Sequence, residues 1–406
     1  MRFLSILFLI FIFTIPNSFS NVKYVFIPIY LLYYFYYSKK NKLIAFRFHK
    51  YIIYFVIFNL TFILLGLFNG ANSKAFFDNF KLLVVYPIIA NIVLFAFSQF
   101  LSLYDFLKIS LISMLIVSIF GFLLFLGIIF NFQLFPENFL SKLNTINDAS
   151  SGSFRLNFVG LNSLFFLFPI SLSIFFTNII TRRTKLLYFF IFAFAFFVIL
   201  LTGRRALVIT SIISPFLFLS YAFFYNIIKF KKILYIFLIL FFIASFLLSS
   251  FYSIQSNFTG SDIDLVNRID SEFSEESIRV NQLPFLLNYF FHHPWGSGFG
   301  VILPKSDIYI RDSISRWKFE LTYLQLLCNT GILGIFFYLT LFISLFKKLR
   351  KLFLHTNISM IVCSTLNGLQ LFLIATFTNP YISSFESIFL IFLPIYFFYN
   401  IKFFKY

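Results

Sequence analysis

The sequence predicts an all-α polytopic membrane protein of about twelve transmembrane helices with one long external loop. Of its 406 residues, 60% are hydrophobic, 24% are aromatic and only 11% are charged. A soluble domain carries roughly 25% charged residues, so this chain has too few charged groups to cover a water-exposed surface. Apolar runs of about 16–22 residues recur between short polar breaks, which is the length that a bilayer core requires of a helix.

The predicted spans follow these apolar runs in order. The first run follows Arg2 and could also serve as a secretory signal, but no small-x-small cleavage site follows it, so we count it as a span. No repeat of about 20–50 residues is visible, and residues 1–406 are expected to form a single membrane domain. The expected spans lie near 3–19, 22–37, 51–69, 82–103, 109–130, 158–178, 186–201, 206–226, 233–252, 319–346, 359–378 and 386–403.

The distribution of Lys and Arg predicts that both termini lie in the cytoplasm. With the N-terminus inside and the spans alternating, nineteen of the thirty-two basic residues fall in short inner segments, as the positive-inside rule expects. This orientation puts residues 131–157, the turn at residues 203–205 and the long loop 253–318 on the outer side of the membrane. The net charge of +18 is explained by these flanking residues, so we expect no nucleic-acid partner.

The sequence predicts neither a metal site nor a cofactor. Cys328 and Cys363 both lie in apolar runs, so they indicate no disulfide framework and no metal site. Asp262-Ile-Asp264 has the spacing of the DxD motif of metal-dependent sugar transferases. A lone DxD is common by chance, however, and nucleotide sugars are absent outside the cytoplasm, so we expect no cation there.

The long loop 253–318, with Glu320 just beyond it, holds nine of the fourteen acidic residues of the chain. Residues 272–292 are predicted to be partly helical. Their apolar side chains would form one face against the bundle or the membrane: Leu283, Leu286, Leu287, Phe290 and Phe291. The tract 294–300, Pro-Trp-Gly-Ser-Gly-Phe-Gly, predicts a tight turn whose backbone N–H groups could approach an anionic ligand.

Four arginines are expected at external membrane boundaries, where the positive-inside rule disfavours them. Arg204 and Arg205 join two apolar runs, Arg155 ends the second external loop, and Arg279 lies in the predicted loop helix. Such residues can be ordinary basic flanks, or can snorkel to the interface. A guanidinium group also binds phosphate oxygens in pairs, so these arginines are candidates for binding a diphosphate.

Three residues near the end of the loop are candidate proton acceptors. Glu320 opens the next span, where the helix dipole favours a carboxylate, but a boundary carboxylate beside several arginines is also well placed to act as a general base. His292 and His293 can be a polar helix end or part of a catalytic site.

Three segments, in this order, resemble the polysaccharide polymerase and ligase superfamily of bacterial envelopes, which assembles O antigens. They are Arg155 to Asn162, Leu201 to Ala206, and the run from Arg279 through the 294–298 turn to Gly331-Ile-Leu-Gly334. The ligase branch has a His followed by Asn, Ser or Gln ahead of these glycines, whereas this chain has Glu320-Leu321 there. The resemblance is therefore to the Wzy-like polymerase branch.

The resemblance implies a GT-C-like glycosyltransferase of the bacterial inner membrane that works without a metal. Its donor would be a glycan on undecaprenyl diphosphate, and its acceptor would be a sugar hydroxyl of another lipid-linked repeat unit. Arg279 would stabilise charge in the reaction, and Glu320 or His293 would take the acceptor's proton. Expected partners are the lipid-linked oligosaccharides, membrane lipids and a chain-length regulator protein. The diphosphate would be bound by the external arginines Arg155, Arg204, Arg205 and Arg279.

Two other functions remain open from the sequence. An O-antigen ligase would transfer a finished glycan to the lipid A core instead of to another repeat unit. A flippase or other transporter would place charged residues inside its spans, whereas the predicted spans of this chain are nearly free of them.

Overall fold

The apolar runs of this chain fold into helices, because a helix satisfies its own backbone N–H and C=O groups where water is absent. A computed structural model describes residues 1–15, 20–41, 46–130, 134–135, 146–147, 156–157, 160–176, 182–202, 204–224, 278–304, 317–352, 359–376 and 385–403. Along the described chain the helices are α1 (Arg2–Thr14), α2 (Ser20–Lys40), α3 (Lys50–Phe68), α4 (Ser73–Phe80), α5 (Tyr86–Phe100), α6 (Leu103–Ile129), α7 (Leu164–Phe176), α8 (Arg182–Leu201), α9 (Arg205–Phe224), α10 (Ile278–His292), α11 (Thr322–Leu352), α12 (Ser359–Thr376), α13 (Phe385–Phe392) and α14 (Pro394–Phe403).

A short antiparallel ribbon lies between α6 and α7. Strand β1 (Ile146–Asn147) pairs with β2 (Leu156–Asn157), with Ile146 opposite Asn157 and Asn147 opposite Leu156. The ribbon belongs to the segment 131–157, for which the sequence predicts a loop only. A 3-10 turn, Leu161–Ser163, then leads into α7.

Within the described residues, four helices are long and apolar enough to cross a membrane: Lys50–Phe68, Ser73–Phe100, Leu103–Gly127 and Thr322–Lys351. The shorter apolar helices are Arg2–Thr14, Leu161–Ser173, Lys185–Leu201, Ala206–Tyr221, Met360–Thr376 and Phe385–Tyr399. The helical membrane-protein class is confirmed. The number of about twelve spans stays a prediction, and the predicted span 233–252 lies outside the described residues.

The largest difference in helix boundaries concerns residues 70–81, which the sequence places before the predicted span 82–103. Helix α4 begins after Asn72, whose side-chain oxygen accepts a hydrogen bond from Ala75 N–H at 2.7 Å and caps the helix. The chain then continues through a π-helical turn, Lys81–Val85, into α5. The prediction is wrong here because the cap starts the helix within a stretch whose polar residues resemble those of a loop.

Buried polar side chains tie the helices together. The Tyr338 hydroxyl of α11 donates to Asn59 Oδ1 of α3 at 2.6 Å, and Asn59 is fully buried. Asn367 Nδ2 of α12 donates to the backbone oxygen of Ser214 in α9 at 2.8 Å. Between membrane helices such hydrogen bonds add to van der Waals packing. They fix α11 against α3 and α12 against α9, while α7 packs along α12.

Asp105 joins the start of α6 to the N-terminal end of the chain. Its Oδ2 accepts hydrogen bonds from Ser102 N–H at 3.0 Å and from the Ser102 hydroxyl at 2.9 Å, and Ser102 Oγ accepts from Asp105 N–H at 3.1 Å. This reciprocal arrangement is a capping box. Asp105 Oδ1 also accepts a hydrogen bond from Arg2 Nη2 at 2.7 Å.

We expect Asp105→Ala to lower the free energy of unfolding by about 1 kcal/mol or more, because it removes the cap of α6. Arg2→Ala should lower it by less than about 1 kcal/mol, because the Arg2 side chain is 66% exposed and an exposed ion pair contributes little. Denaturant titration of the detergent-solubilised protein measures both values. Equal losses in the two variants would show that the ion pair, and not the cap, carries the stability.

Candidate functional site

Helix α10 occupies the centre of the predicted external loop. Its described range, Ile278–His292, confirms the helix predicted for that stretch, while residues 272–277 lie outside the described part of the chain. One side of α10 packs on a small apolar cluster that ends at the first turns of α11. The buried members of this cluster are Leu286, Leu303, Phe319 and Cys328.

The predicted apolar face of α10 is buried in part: Leu286 is fully buried, Leu287 and Phe290 are half-buried, and Leu283 and Phe291 are 46% and 73% exposed. Gln282 is fully buried on the same helix. Its side-chain oxygen accepts a hydrogen bond from Glu320 N–H at 3.1 Å, so this polar residue is held inward by the chain that leads into α11.

The turn 294–300 docks its backbone on α3 and α11. Ser297 N–H donates to Cys328 O at 3.0 Å, Gly298 N–H donates to Asn329 O at 2.9 Å and Phe299 N–H donates to Phe62 O of α3 at 3.0 Å. The expectation that these N–H groups face an anion is therefore wrong for residues 297–299, since protein carbonyls accept their hydrogen bonds.

The glycines of the turn allow this close approach. Gly296 and Gly298 have φ values of +84° and +88°, which favour glycine. A Cβ on Gly298 would overlap the backbone of Gly66 in α3. The turn 294–300 thus packs closely on α3 and α11 and attaches the predicted external loop to these two helices.

A break in α11 completes the same contact. Gly331 has φ +61° and ψ −161° inside the helix, and Ile332 N–H donates to Pro294 O at 2.9 Å. A Cβ on Gly296 would come within 2.6 Å of Asn329 O. The two glycine motifs, 294–298 and 331–334, are far apart in sequence and lie against each other in the structure.

A cavity of about 760 Å³ lies beside the turn, between α3, the continuous α4–α5 helix, α11 and α13. Phe299 of the turn and Leu373 of α12 also contribute to its wall. The cavity runs along α11, where its lining is apolar: Leu339, Phe342, Ile343 and Phe346. Its charged lining residues are Asp78, Lys81 and Lys318. Its neutral polar lining residues are Asn79, Tyr86, Thr322, Tyr323, Gln325, Asn329, Thr330 and Tyr338. An apolar cavity with a few polar groups is the usual form of a small-molecule site.

The π-helical turn places a charged residue in this wall. It begins at Lys81, and Lys81 lines the cavity together with Asp78 one turn earlier. Single π-helical turns are frequent at functional sites, because the extra residue changes which side chains share a face. Both residues belong to the Ser73–Phe100 helix but precede the predicted span 82–103, which holds no charged residue.

The candidate proton acceptors Glu320 and His293 are not among the described lining residues of the cavity. Glu320 is half-buried and follows Trp317 and Lys318, which do line the cavity. The exposed His293 ring stacks on Tyr289 with centroids 4.3 Å apart. Its Nδ1 lies 3.2 Å from Tyr289 O. A carbonyl only accepts, so Nδ1 carries the hydrogen and Nε2 is the basic nitrogen.

The structure describes only part of the predicted arginine set. Arg204 is half-buried at the start of α9, where its N–H donates to Thr202 Oγ1 at 3.3 Å, and it does not line the cavity. Arg205 and Arg279 belong to α9 and α10, but their side chains lie outside the description, and Arg155 lies outside the described residues altogether. The clustering of the four arginines therefore stays a prediction.

Sequence reasoning did not select Lys81, Trp317, Lys318 or Thr322 as site residues. One signal was available, since Asp78 and Lys81 are three residues apart and would share a face if the helix began earlier. For Trp317 and Lys318, the signal was their position directly before the proposed base Glu320. Neither signal indicates by itself that residues 78–81 and residues 317–322 line the same cavity.

Comparison with known proteins adds one match. Residues 189–339 match the family model described as O-Antigen ligase. No curated protein matches the chain. The matched range begins in α8 and ends in α11, so it includes Arg204, α10, the 294–300 turn and Gly331. The wall of the cavity that α4 and α5 form lies outside it.

Proposed function

Residues 189–339 place this part of the chain in the O-antigen polymerase and ligase superfamily, and from this premise we propose that the protein is a polymerase of polysaccharide repeat units. It transfers a glycan from undecaprenyl diphosphate to a sugar hydroxyl of another lipid-linked repeat unit, at the periplasmic face of the inner membrane. The observation that carries the proposal is the docking of the 294–300 turn against the Gly331 break. This contact brings two motifs of the matched range to one wall of a cavity.

The reaction is a displacement at the anomeric carbon of the donor glycan. The acceptor hydroxyl oxygen forms the new bond to that carbon while the bond to the diphosphate oxygen breaks, and the diphosphate leaves with the electron pair. The acceptor proton passes to the Glu320 carboxylate or to His293 Nε2, which is the basic nitrogen when Nδ1 donates to Tyr289 O. A base within hydrogen-bond reach of the hydroxyl contributes most when its pKa lies near the working pH.

The external arginines stabilise the leaving group in this proposal. Negative charge grows on the diphosphate as the glycosidic bond breaks, and fixed guanidinium groups bind that charge more tightly in the transition state than in the ground state. Arginine suits this role better than lysine, because its planar fork binds two phosphate oxygens at once. The proposed set, which needs no metal ion, is Arg155, Arg204, Arg205 and Arg279.

An O-antigen ligase is the second candidate, because the matching family model carries that description. Gly331 and Gly334 have the spacing found in the ligase branch, but Glu320-Leu321 stands where that branch has His and Asn. The two enzymes share a donor and differ in the acceptor, which is another repeat unit for the polymerase and the lipid A core for the ligase.

The glycan profile of a strain that lacks the gene separates these functions. For a polymerase we expect a lipid A core that carries at most one repeat unit, because transfer to the core continues without elongation. Full-length glycan stranded on undecaprenyl diphosphate would contradict the polymerase and identify a ligase. Single repeat units that accumulate on the cytoplasmic face would identify a flippase. Complementation with the intact gene is the control, and a chain-length regulator, if it is a partner, would change only the length distribution.

A further inference from the structure

The middle of the predicted external loop carries no charged side chain, although the loop as a whole is rich in them. Residues 280–304 contain no Asp, Glu, Lys or Arg, whereas the rest of the loop 253–318 holds eight acidic and six basic residues. The first charged residues on the two sides of this stretch are both basic, Arg279 and Lys305. Basic residues are common anchors at the boundary of a membrane segment. This composition allows α10 and the turn 294–300 to enter an apolar medium.

The hydrogen bonds of the turn place it at the depth of the membrane spans. The basic end of α11 begins at Lys347, and a bilayer core takes roughly 20 residues of helix, so the core part of α11 reaches back to about Leu327. The carbonyls of Cys328 and Asn329, which accept hydrogen bonds from the turn, belong to that part. The turn therefore lies at the outer boundary of the hydrocarbon core or below it.

The contact with α3 gives the same depth. Phe299 N–H donates to Phe62 O at 3.0 Å, and α3 ends at Phe68. At a rise of ~1.5 Å per residue, Phe62 lies about 9 Å before the end of this span. The turn thus reaches well inside the range that α3 crosses.

Helix α10 leads from the outside down to this depth beside α11. Near its start, Gln282 Oε1 accepts a hydrogen bond from Glu320 N–H, just before α11 begins. Directly after its end, Pro294 O accepts a hydrogen bond from Ile332 N–H, about 15 Å further along α11 at the rise of an α-helix. The two helices therefore run in the same direction, and the C-terminal end of α10 is the deeper one.

The backbone of the turn is paired as an apolar medium requires. Each N–H from Gly296 to Phe299 donates to a protein carbonyl, at 2.9–3.0 Å. His292 Nδ1 and His293 Nδ1 also lie 2.8 and 3.2 Å from carbonyls of the preceding helical turn. At membrane depth, irregular backbone occurs where its polar groups are buried in protein or line a water-filled cavity. The observed pairing meets the first of these conditions.

The largest exposed side chains of α10 and the turn are aromatic. Phe291 and Trp295 are 73% and 68% exposed. A Cβ on Gly331 would overlap the Trp295 backbone, and directly beyond this glycine α11 exposes Leu333 at 51% and Phe336 at 65%. The exposed apolar surface of the loop therefore continues that of a membrane span, and the same lipid chains fit both.

We propose that α10 and the turn 294–300 form a re-entrant element, which enters the leaflet on the predicted outer side and leaves it again on the same side. Phe291 and Trp295 contact the lipid chains of that leaflet, and Trp295 occupies the boundary level at which tryptophan is enriched in membrane proteins. The partner of this surface is the bilayer itself. The inference holds for a polymerase and for a ligase alike, since it rests on the depth of the loop and not on the reaction.

The chain has two tryptophans, which allow a direct test with the full protein in phosphatidylcholine vesicles whose acyl chains carry bromine at defined carbons. Bromine quenches an indole only at short range. The difference between the wild type and Trp295→Phe isolates the fluorescence of Trp295. We expect brominated chains to remove most of this fluorescence and iodide in the water to remove little. Trp317 is 4% exposed and serves as the internal control that neither quencher reaches.

Phe68→Trp in the Trp295→Phe background provides a depth reference, because Phe68 ends the α3 span and is 85% exposed. We expect the bromine positions that quench Trp295 to be the same as for this variant, or deeper. Quenching of Trp295 by iodide alone would place α10 in water and overturn the proposal. Quenching by neither agent would show that protein, such as a second copy of the chain, covers this surface, and would overturn it as well.

Discussion

Gly298→Ala is expected to prevent the bundle from reaching its folded state, while Gly70→Ala is expected to be tolerated. Both glycines have φ +88°, so an alanine at either position adopts the same unfavourable backbone conformation, at roughly 1–2 kcal/mol. They differ in their surroundings. A Cβ on Gly298 would overlap the backbone of Gly66, whereas nothing lies within 4 Å of a Cβ on Gly70.

The difference between these two variants isolates the packing of the turn on α3. Overlap between two backbones is not relieved by a side-chain rotation, so the turn 294–300 would have to leave α3. We expect a loss of more than about 4 kcal/mol for Gly298→Ala, which is the range of severe core disruptions. The amount of monodisperse protein after detergent extraction and its unfolding temperature provide the measurement. Similar values for the two variants would show that the turn does not need its contact with α3.

Arg204→Ala is expected to abolish polymer formation while the protein remains in the membrane. The guanidinium is proposed to stabilise the diphosphate that leaves, and the loss of one such group lowers turnover about 100-fold or more. Arg204→Lys should also reduce chain length, because an ammonium group lacks the planar fork. The half-buried position of Arg204 at the start of α9 also places it beside a helix N-terminus, which itself favours an anion.

The glycan ladder of the complemented deletion strain measures this effect, together with the level of the protein in the membrane fraction. Arg2→Ala serves as the control, because Arg2 pairs with Asp105 and is predicted to face the cytoplasm. It should give wild-type chain lengths. Wild-type chain lengths in Arg204→Ala would refute the diphosphate role of Arg204, and loss of the protein from the membrane would assign Arg204 to folding.

Much of the helical architecture could be predicted from the sequence. In an apolar medium the backbone N–H and C=O groups must form hydrogen bonds within the protein, and a helix is one of the few structures that allows this. The start of α4 could not be predicted, since the polar stretch after Phe68 has the composition of a loop and only the Asn72 cap distinguishes it. The burial of Gln282 in α10 could not be predicted either. Its side-chain oxygen accepts a hydrogen bond from Glu320 N–H, 38 residues further along the chain, and no local pattern indicates that contact.

The sequence indicated the glycine motifs of the candidate site, but it did not indicate the cavity beside them. The glycine tract 294–300 and the pair Gly331 and Gly334 were selected by resemblance, but their mutual contact depends on backbone approach that no local pattern encodes. Lys81 was not predicted as a site residue, because a basic residue beside an apolar run is ordinarily explained by the orientation of the span in the membrane. Lys81 lines the cavity as the first residue of the π-helical turn, and the sequence does not reveal that turn.

The docking of the turn on α3 also has a consequence for the order in which the chain assembles. Asn69 Nδ2 donates to Ser297 O at 2.8 Å, although 228 residues separate them. At a synthesis rate of about 5–20 residues per second, α3 waits roughly 10–50 s for this partner. The α3 surface at Gly66, which the 294–300 turn covers, therefore stays without its partner throughout most of translation. The part of the cavity wall that Phe299 forms is completed only after this turn has been synthesised.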